Sequence, residues 1–353
     1  MRVLVLGGTN FIGPAAVRRL AAEGHEVAVF HRGNHNAPLP ETVRHIHGDR
    51  AQITDFGADF RQFGPEVVLD MVASTEKAGK MLIGLFTGMA RRLVVVSSVD
   101  VYRAYDRFRM ADPGPPDPAP LTEDSPLRDK PYPYRSMAKS PDEFMYSYDK
   151  IFMEREVMSV PETLPGTVIR LPMVYGPADY QHRTFAYLKR MDDGRPAILI
   201  STAMASWRAE RGYVDDMGAA IALCVTSEQA AGRIYHVAEQ RDLSEADWLR
   251  RIAVAAGWSG AMVPVPEEAL PAHLREDYDA TQDLALDSSR IRRELGYTEL
   301  CTPEEAMHQT VAWERANPQT KFEASEFDYA AEDAVAAAPA ATATHIGVPP
   351  AVR

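Results

Sequence analysis

The chain has 353 residues, 46% hydrophobic and 25% charged, enough for one large α/β domain with a smaller lobe. A formal net charge of −12 without a basic stripe speaks against a general nucleic-acid binder, and no run is long and apolar enough for a membrane span. The start carries no signal-peptide pattern, and Cys224 and Cys301, far apart in sequence, read as free buried thiols, so a cytoplasmic protein is expected.

Residues Met1–Gly13 read MRVLVLGGTNFIG. Val3–Leu6 is short, rich in β-branched residues and bounded by Gly7, which suits a buried parallel strand. Ala15–Ala22 then repeats apolar residues at helical spacing, with Pro14 tolerated in the first turn. Strand, glycine turn and helix start make the first half of a dinucleotide-binding βαβ unit. Gly7 permits a tight turn, Gly13 permits close helix–strand packing, and the helix start offers free N–H groups to a pyrophosphate. Gly7, Thr9, Asn10, Phe11, Ile12 and Gly13 are therefore the candidate phosphate loop.

Strand-like runs recur at Val27–Phe30, Val67–Asp70, Leu93–Ser97 and Thr167–Leu171, with helical segments between them. That alternation predicts α/β architecture, a Rossmann-like doubly wound parallel sheet with helices on both faces. The nucleotide-binding domain is expected over 1–175, with later returns to the core, and a smaller α/β substrate lobe mainly over 176–320. His45 and His47 alternate along a further strand-like run and share a face, but no third ligand is evident and no metal site is expected. Ala111–Pro133 is crowded with proline and reads as an extended insertion, ordered or semi-ordered. From Phe322 onward, with Ala330–Ala343 rich in alanine, a low-complexity tail is expected that is disordered or packs on a partner.

Two segments point to catalysis. Leu93–Tyr102, LVVVSSVDVY, delivers Ser97 and Ser98 to the carboxyl end of the sheet, where such folds bind ligands. Tyr146-Ser-Tyr-Asp-Lys150 follows Ser140-Pro-Asp-Glu143, a capping box with proline at the first helical position, and Pro161 ends the element. This predicts one helix with Tyr146 and Lys150 a turn apart on one face. An ammonium beside a phenol lowers the phenol's pKa, so Tyr146 could exchange a proton while Ser98 holds the reacting oxygen. The same pair at this spacing also occurs on ordinary helix faces.

Together these residues resemble the extended short-chain dehydrogenase/reductase family, in its NAD-dependent epimerase/dehydratase branch, from Met1 to about Trp313. The resemblance rests on Gly7-Gly-Thr-Asn-Phe-Ile-Gly13, on Ser98 before Tyr102, and on Tyr146 and Lys150 followed by Glu154. It rests further on Arg170-Leu-Pro-Met-Val-Tyr-Gly-Pro177, Arg211-Gly-Tyr-Val-Asp-Asp216 and Asp287-Ser-Ser-Arg-Ile-Arg-Arg-Glu-Leu-Gly296. It implies Ser98, Tyr146 and Lys150 as the catalytic triad, with Lys150 also touching the nicotinamide ribose. It implies Asp49 as the adenine-contacting acid, with Ala73 and Pro172 completing the cofactor set. A homodimer is the expectation by analogy.

The departures from that pattern are informative. Asn10 stands where the middle glycine is usual; asparagine tolerates positive φ and could contact a phosphate or ribose. Phe30-His31-Arg32-Gly33 lacks the acid that binds a ribose 2′-hydroxyl, and Arg32 could pair with a 2′-phosphate, so NADP is favoured over NAD. The alternative is a solvated arginine. Val99 and Asp100 stand where dehydratases of the family carry Asp-Glu, which disfavours elimination and leaves Asp100 as a base or a turn cap. Met173 replaces an asparagine that contacts sugar nucleotides. Gln181-His-Arg183, Arg208 and Arg211 could clamp a diphosphate or be surface charges, and Tyr213 and Trp207 could stack a base or pack in the core. Ser98, Met173, Arg183, Arg208 and Arg211 are the candidate substrate contacts.

The leading expectation is an NAD(P)-dependent sugar-nucleotide epimerase with Tyr146 as acid and base. The first alternative is an NADP-dependent reductase or dehydrogenase of a non-nucleotide carbonyl compound. The second is a non-catalytic cofactor-sensing or RNA-associated relative, against which the intact Ser98, Tyr146 and Lys150 and the acidic charge speak.

Overall fold

The structure, a computed structural model, describes residues 1–35, 37–239, 243–337 and 346–347. Strands β1 (Arg2–Leu6), β2 (Glu26–His31), β3 (Arg44–His47), β4 (Val67–Asp70), β5 (Arg92–Ser98) and β6 (Gly166–Leu171) come first. Between them lie helices α1 (Ile12–Ala22), α2 (Gly57–Phe63), α3 (Glu76–Phe86), α4 (Arg103–Phe108), α5 (Phe144–Ser147) and α6 (Lys150–Val157). The chain continues through β7 (Met173–Tyr175), α7 (Phe185–Asp192), β8 (Ala197–Ser201), α8 (Thr202–Ser206), β9 (Arg211–Tyr213), α9 (Val214–Thr226) and β10 (Arg233–His236). It ends with α10 (Glu245–Ala256), β11 (Ala261–Val265), α11 (Ser289–Leu295), α12 (Pro303–Ala316), α13 (Tyr329–Ala336) and β12 (Ile346–Gly347).

The main sheet has seven strands in the order β10-β6-β5-β4-β1-β2-β3, all parallel. Val3, Leu4, Val5 and Leu6 are fully buried because helices cover both faces, which is why β1 reads as an unbroken apolar run. Alternate side chains feed two cores. Val3 and Val5 face α1 and α9, whereas Leu4 and Leu6 face the side of α2, α3 and α6. A Cβ on Gly218 would lie 2.6 Å from that of Ala15, so the α1–α9 contact needs glycine there. β1 pairs with both β2 and β4, and the strand order reverses at that point, leaving a crevice beyond their carboxyl ends.

The smaller layer holds β8 and β11 in parallel, with β12 antiparallel to β11, and a separate β7–β9 pair. The proline-rich stretch is extended and tied down by Arg103 on Asp117, by the Asp117 N–H on Gln282 Oε1 at 2.6 Å, and by a bridge between Leu121 and Leu286.

The expected tail needs correction. Phe322 and Phe327 pack on Phe185, α13 lies against β8, and the buried Glu332 pairs with Arg190 at 2.7 Å and is hydrogen-bonded to His273 Nε2 at 3.0 Å. Composition hid this because only a few of the segment's residues, spaced between alanines, make the contacts. Residues 338–345 and 348–353 lie outside the described part of the chain.

Candidate active site

A cleft of about 580 Å³ opens at the carboxyl ends of β1, β2 and β4. Its floor is the turn from β1 into α1. Gly7 and Gly8 have φ of 88° and 100°, a region closed to most side chains. A Cβ on Gly13 would sit 2.4 Å from the Gly8 Cα, so this turn passes against the helix start at backbone distance. Thr9, Asn10, Phe11 and Ile12 line the cleft, while Gly13 supports it from behind. The left-handed residue is Phe11, with φ of 45°, rather than Asn10. The buried Phe11 ring fixes that conformation by packing into the core cluster of α1. No side chain caps α1; the Gly13 N–H bonds the Asn10 carbonyl at 3.0 Å and Pro14 has none, so among the described residues the Ile12 N–H is the one left open at the helix start.

At the end beside β2, Arg32 and Asp49 line the cleft together with His31, Asn34 and His35. Arg50 is held by Asp70, a fully buried carboxylate 2.6 Å away, which also takes the N–H groups of Val72 and Ala73 at 2.7 Å each. Arg32 is exposed and has no side-chain partner among the described residues. Asp49 accepts from the Ala51 N–H at 2.8 Å. Sequence reasoning did not connect His31 with His45 and His47. The β2–β3 register brings them together, with His31 Nε2 2.8 Å from His45 Nδ1. Burial and the two neighbouring imidazoles push His31 below its ordinary pKa.

Lys150 enters the other end of the cleft. Its Nζ donates to the carbonyls of Ala73 at 2.9 Å and Val96 at 2.7 Å, leaving one N–H without a partner among the described residues. Burial lowers its pKa, against the opposing charges of Asp100, Asp70 and Glu154. Pro172 is buried between β6 and β7 and does not line the cleft.

The helix expected to carry Tyr146 and Lys150 is broken. Ser140 does not start it; α5 is a single turn, and Tyr148 and Asp149 are extended, with ψ of 120° and 103°. Asp149 is the cause. Its carboxylate caps α6 through the Ile151 N–H at 3.0 Å, receives Arg128 at 2.8 and 3.1 Å, and accepts the Tyr132 N–H at 2.8 Å. An aspartate so engaged outcompetes helix continuation. Tyr146 therefore does not sit one turn below Lys150, and Arg135 lies 4.7 Å from its ring. The tyrosine lining the cleft beside Lys150 is Tyr148.

Ser98 ends β5, and its hydroxyl accepts the Asp100 N–H at 3.2 Å. Asp100 is 5% exposed. Its Oδ2 accepts the hydroxyls of Tyr148 at 2.8 Å and Tyr134 at 2.9 Å, while its enclosed Oδ1 has no partner. Burial and the Asp100 charge hold both phenols well above the ordinary tyrosine pKa. Neither Ser98 nor Tyr146 lines the cleft itself.

The expected diphosphate clamp has other engagements. Arg183 pairs with the buried Asp179 at 2.8 Å and donates to the Val174 carbonyl at 2.8 Å. Arg211 pairs with Glu245, donates to the Ala209 carbonyl at 3.1 Å and lies 4.4 Å from the Trp248 ring. Arg208 is exposed and borders a second cavity of about 340 Å³ with Asp283. Met173 packs partly into the cluster of Tyr102 and Trp207. Trp207 and Tyr213 are core residues, 5% and 1% exposed.

The chain is 28% identical over 274 residues to 2′-dehydrokanamycin reductase of Streptomyces kanamyceticus, covering 76% of this chain and 70% of that protein. It is 22% identical over 279 residues to the chloroplast stem-loop binding protein of 41 kDa b from Arabidopsis thaliana, covering 75% of this chain and 65% of that one. Among solved structures, UDP-glucose 4-epimerase of Thermotoga maritima with UDP-glucose superposes with a TM-score of 0.65 at 18% identity, over 90% of this chain and 100% of that one. Among the described residues, no helix is long and apolar enough to cross a membrane. A sequence profile matches residues 3–238, and with the glycine turn, the parallel sheet and the cleft at its reversal, the chain belongs to the NAD dependent epimerase/dehydratase family.

Proposed function

We propose that this enzyme is an NADP-preferring reductase or dehydrogenase that interconverts a carbonyl and an alcohol on a sugar-like, non-nucleotide substrate. The observation that carries this reading is the state of the two arginines. Arg183 and Arg211 are committed to Asp179 and Glu245, so moving either onto a diphosphate would strand a buried carboxylate. Met173 in place of a substrate-contacting asparagine points the same way. So does the likeness to a protein named as a reductase of 2′-dehydrokanamycin.

The cleft fits a dinucleotide: the uncapped α1 start faces a pyrophosphate position, and Arg32 lacks any internal partner that would neutralise it. A 2′-phosphate on the adenine ribose is the natural counter-charge for Arg32. A bound nicotinamide supplies or accepts the hydride. The third N–H of Lys150 is free for the ribose hydroxyls, while its two carbonyl bonds fix the side chain. The net charge of −12 speaks against the RNA-associated alternative.

The test presents the purified protein with NADPH and keto-sugars, 2′-dehydrokanamycin included, and separately with UDP-glucose. Stoichiometric NADPH consumption with a keto-sugar and no interconversion of UDP-sugars is expected. Epimerisation of a UDP-sugar without net cofactor turnover would overturn the reading and restore the epimerase.

A further inference from the structure

We propose that Tyr148, backed by Asp100, is the residue that exchanges the proton with the substrate oxygen, in place of the Tyr146 of the Tyr-x-x-x-Lys motif. The inference rests on the hydride-transfer reading above and concerns which phenol serves it. Tyr148 lines the cleft, as do Phe144 and Lys150, and is 9% exposed. Tyr146 is carried on α5, and the extended Tyr148–Asp149 link removes it from the helical register with Lys150. Arg135 occupies its surroundings instead, with the guanidinium near its ring and a 3.0 Å bond to its carbonyl.

The arrangement around Asp100 is directional. The Tyr148 hydroxyl donates to Asp100 Oδ2, so its lone pairs are left to accept a proton from a substrate alcohol. Tyr134 donates to the same oxygen and fixes the carboxylate. The opposite oxygen, Oδ1, is enclosed and unpartnered, an arrangement that costs free energy while the group is charged and that a proton would relieve. Asp100 itself does not reach the cleft and acts through Tyr148 as a positioning residue and proton store.

In reduction, the carbonyl carbon gains hydride from reduced nicotinamide, and the C=O π pair passes to oxygen. That oxygen takes the Tyr148 proton, Tyr148 takes one from the Asp100 carboxyl, and Asp100 is reprotonated from water. Oxidation runs the same transfers backwards, with Asp100 starting as the carboxylate. Lys150, which lines the same cleft, contributes positive charge to it.

The experiment compares Tyr148→Phe, Tyr146→Phe, Tyr134→Phe and Asp100→Asn. Affinity for NADPH, read by quenching of protein fluorescence, checks that each variant folds and keeps its cleft, and a change of less than about threefold is expected. Turnover of Tyr148→Phe falls about 100-fold or more, the usual size of a lost general acid, while Tyr146→Phe stays within about threefold. Asp100→Asn, which keeps the side chain's shape and removes its charge beside Tyr148, also lowers turnover. A second readout needs no turnover: the Cζ resonance of Tyr148 in ¹³C-tyrosine-labelled, cofactor-free protein shifts in Asp100→Asn and not in Tyr146→Phe. Turnover lost in Tyr146→Phe and kept in Tyr148→Phe would overturn the inference and leave the enzyme a hydride-transfer catalyst. A wild type with no hydride transfer on any keto-sugar or UDP-sugar would overturn the functional reading and the inference together.

Discussion

Arg32 and His236 show how one side chain's surroundings set its behaviour. Among the described residues Arg32 has no side-chain partner to give up, so a 2′-phosphate would gain its full charge-assisted bonding. Arg32→Ser is expected to weaken NADP⁺ about tenfold to a hundredfold, the value of a bond of ~1.5–3 kcal/mol, and to leave NAD⁺ within about twofold. Titration calorimetry with each cofactor checks this, and equal losses for both would refute the assignment. His236 is fully buried. Its Nδ1 faces the Asp287 carbonyl at 3.2 Å, which can only accept, so that nitrogen holds the proton and Nε2 accepts from Tyr102. Burial, then the Arg170 charge, lowers its pKa from 6.5 to about 3. The native state therefore stays neutral where the unfolded chain takes up a proton. The contribution is full above pH 6.5 and falls by about 1.4 kcal/mol per pH unit between 6.5 and about 3. Asp216, raised by burial to about 6, titrates over the same window with the opposite sign. The difference between wild type and His236→Gln in urea unfolding isolates the histidine: it should shrink by about 2 kcal/mol from about pH 7 to about pH 5.

At the scale of elements, strands and glycine turn were legible because both depend on short-range pattern. The apolar runs at Val67–Asp70 and Thr167–Leu171 are strands because burial on both faces demands such runs. The turn from β1 into α1 was legible because glycine spacing reports backbone conformation directly, although the positive φ fell on Phe11 and not Asn10. The segment from Ser140 to Pro161 misled for the opposite reason. Its helical signals are local, whereas the break comes from Arg128, distant in sequence and fully buried on Asp149. No spacing rule within the segment reveals that partner, and Tyr148 stayed out of view for that reason, although Asp100 was already a candidate base. Asp149→Ala leaves the Arg128 charge buried and unpaired, and is expected to cost about 3–5 kcal/mol in urea unfolding. Loss of less than about 1 kcal/mol would show that the break has another cause.

Across the whole molecule, the C-terminal residues close the lobe over the chain's own surface. Arg190 gives its guanidinium to Glu332 and to the Glu326 carbonyl, and Lys189 lies over the Phe322 and Phe327 rings. Glu332→Gln removes the buried counter-charge and is expected to destabilise the protein by about 3 kcal/mol, with faster proteolysis after α12. Unchanged stability would mean that the segment contributes little to the fold. The returns of α9 and β10 to the main sheet tie the later part of the chain to the core of the first strands. The central claim, that this cleft at the β1–β2–β4 reversal holds a nicotinamide dinucleotide with NADP preferred, is tested most directly by titrating the purified protein with NADPH and NADH and following protein fluorescence. Saturable binding of both, tighter for NADPH, is the predicted result; no saturable binding of either would contradict the account.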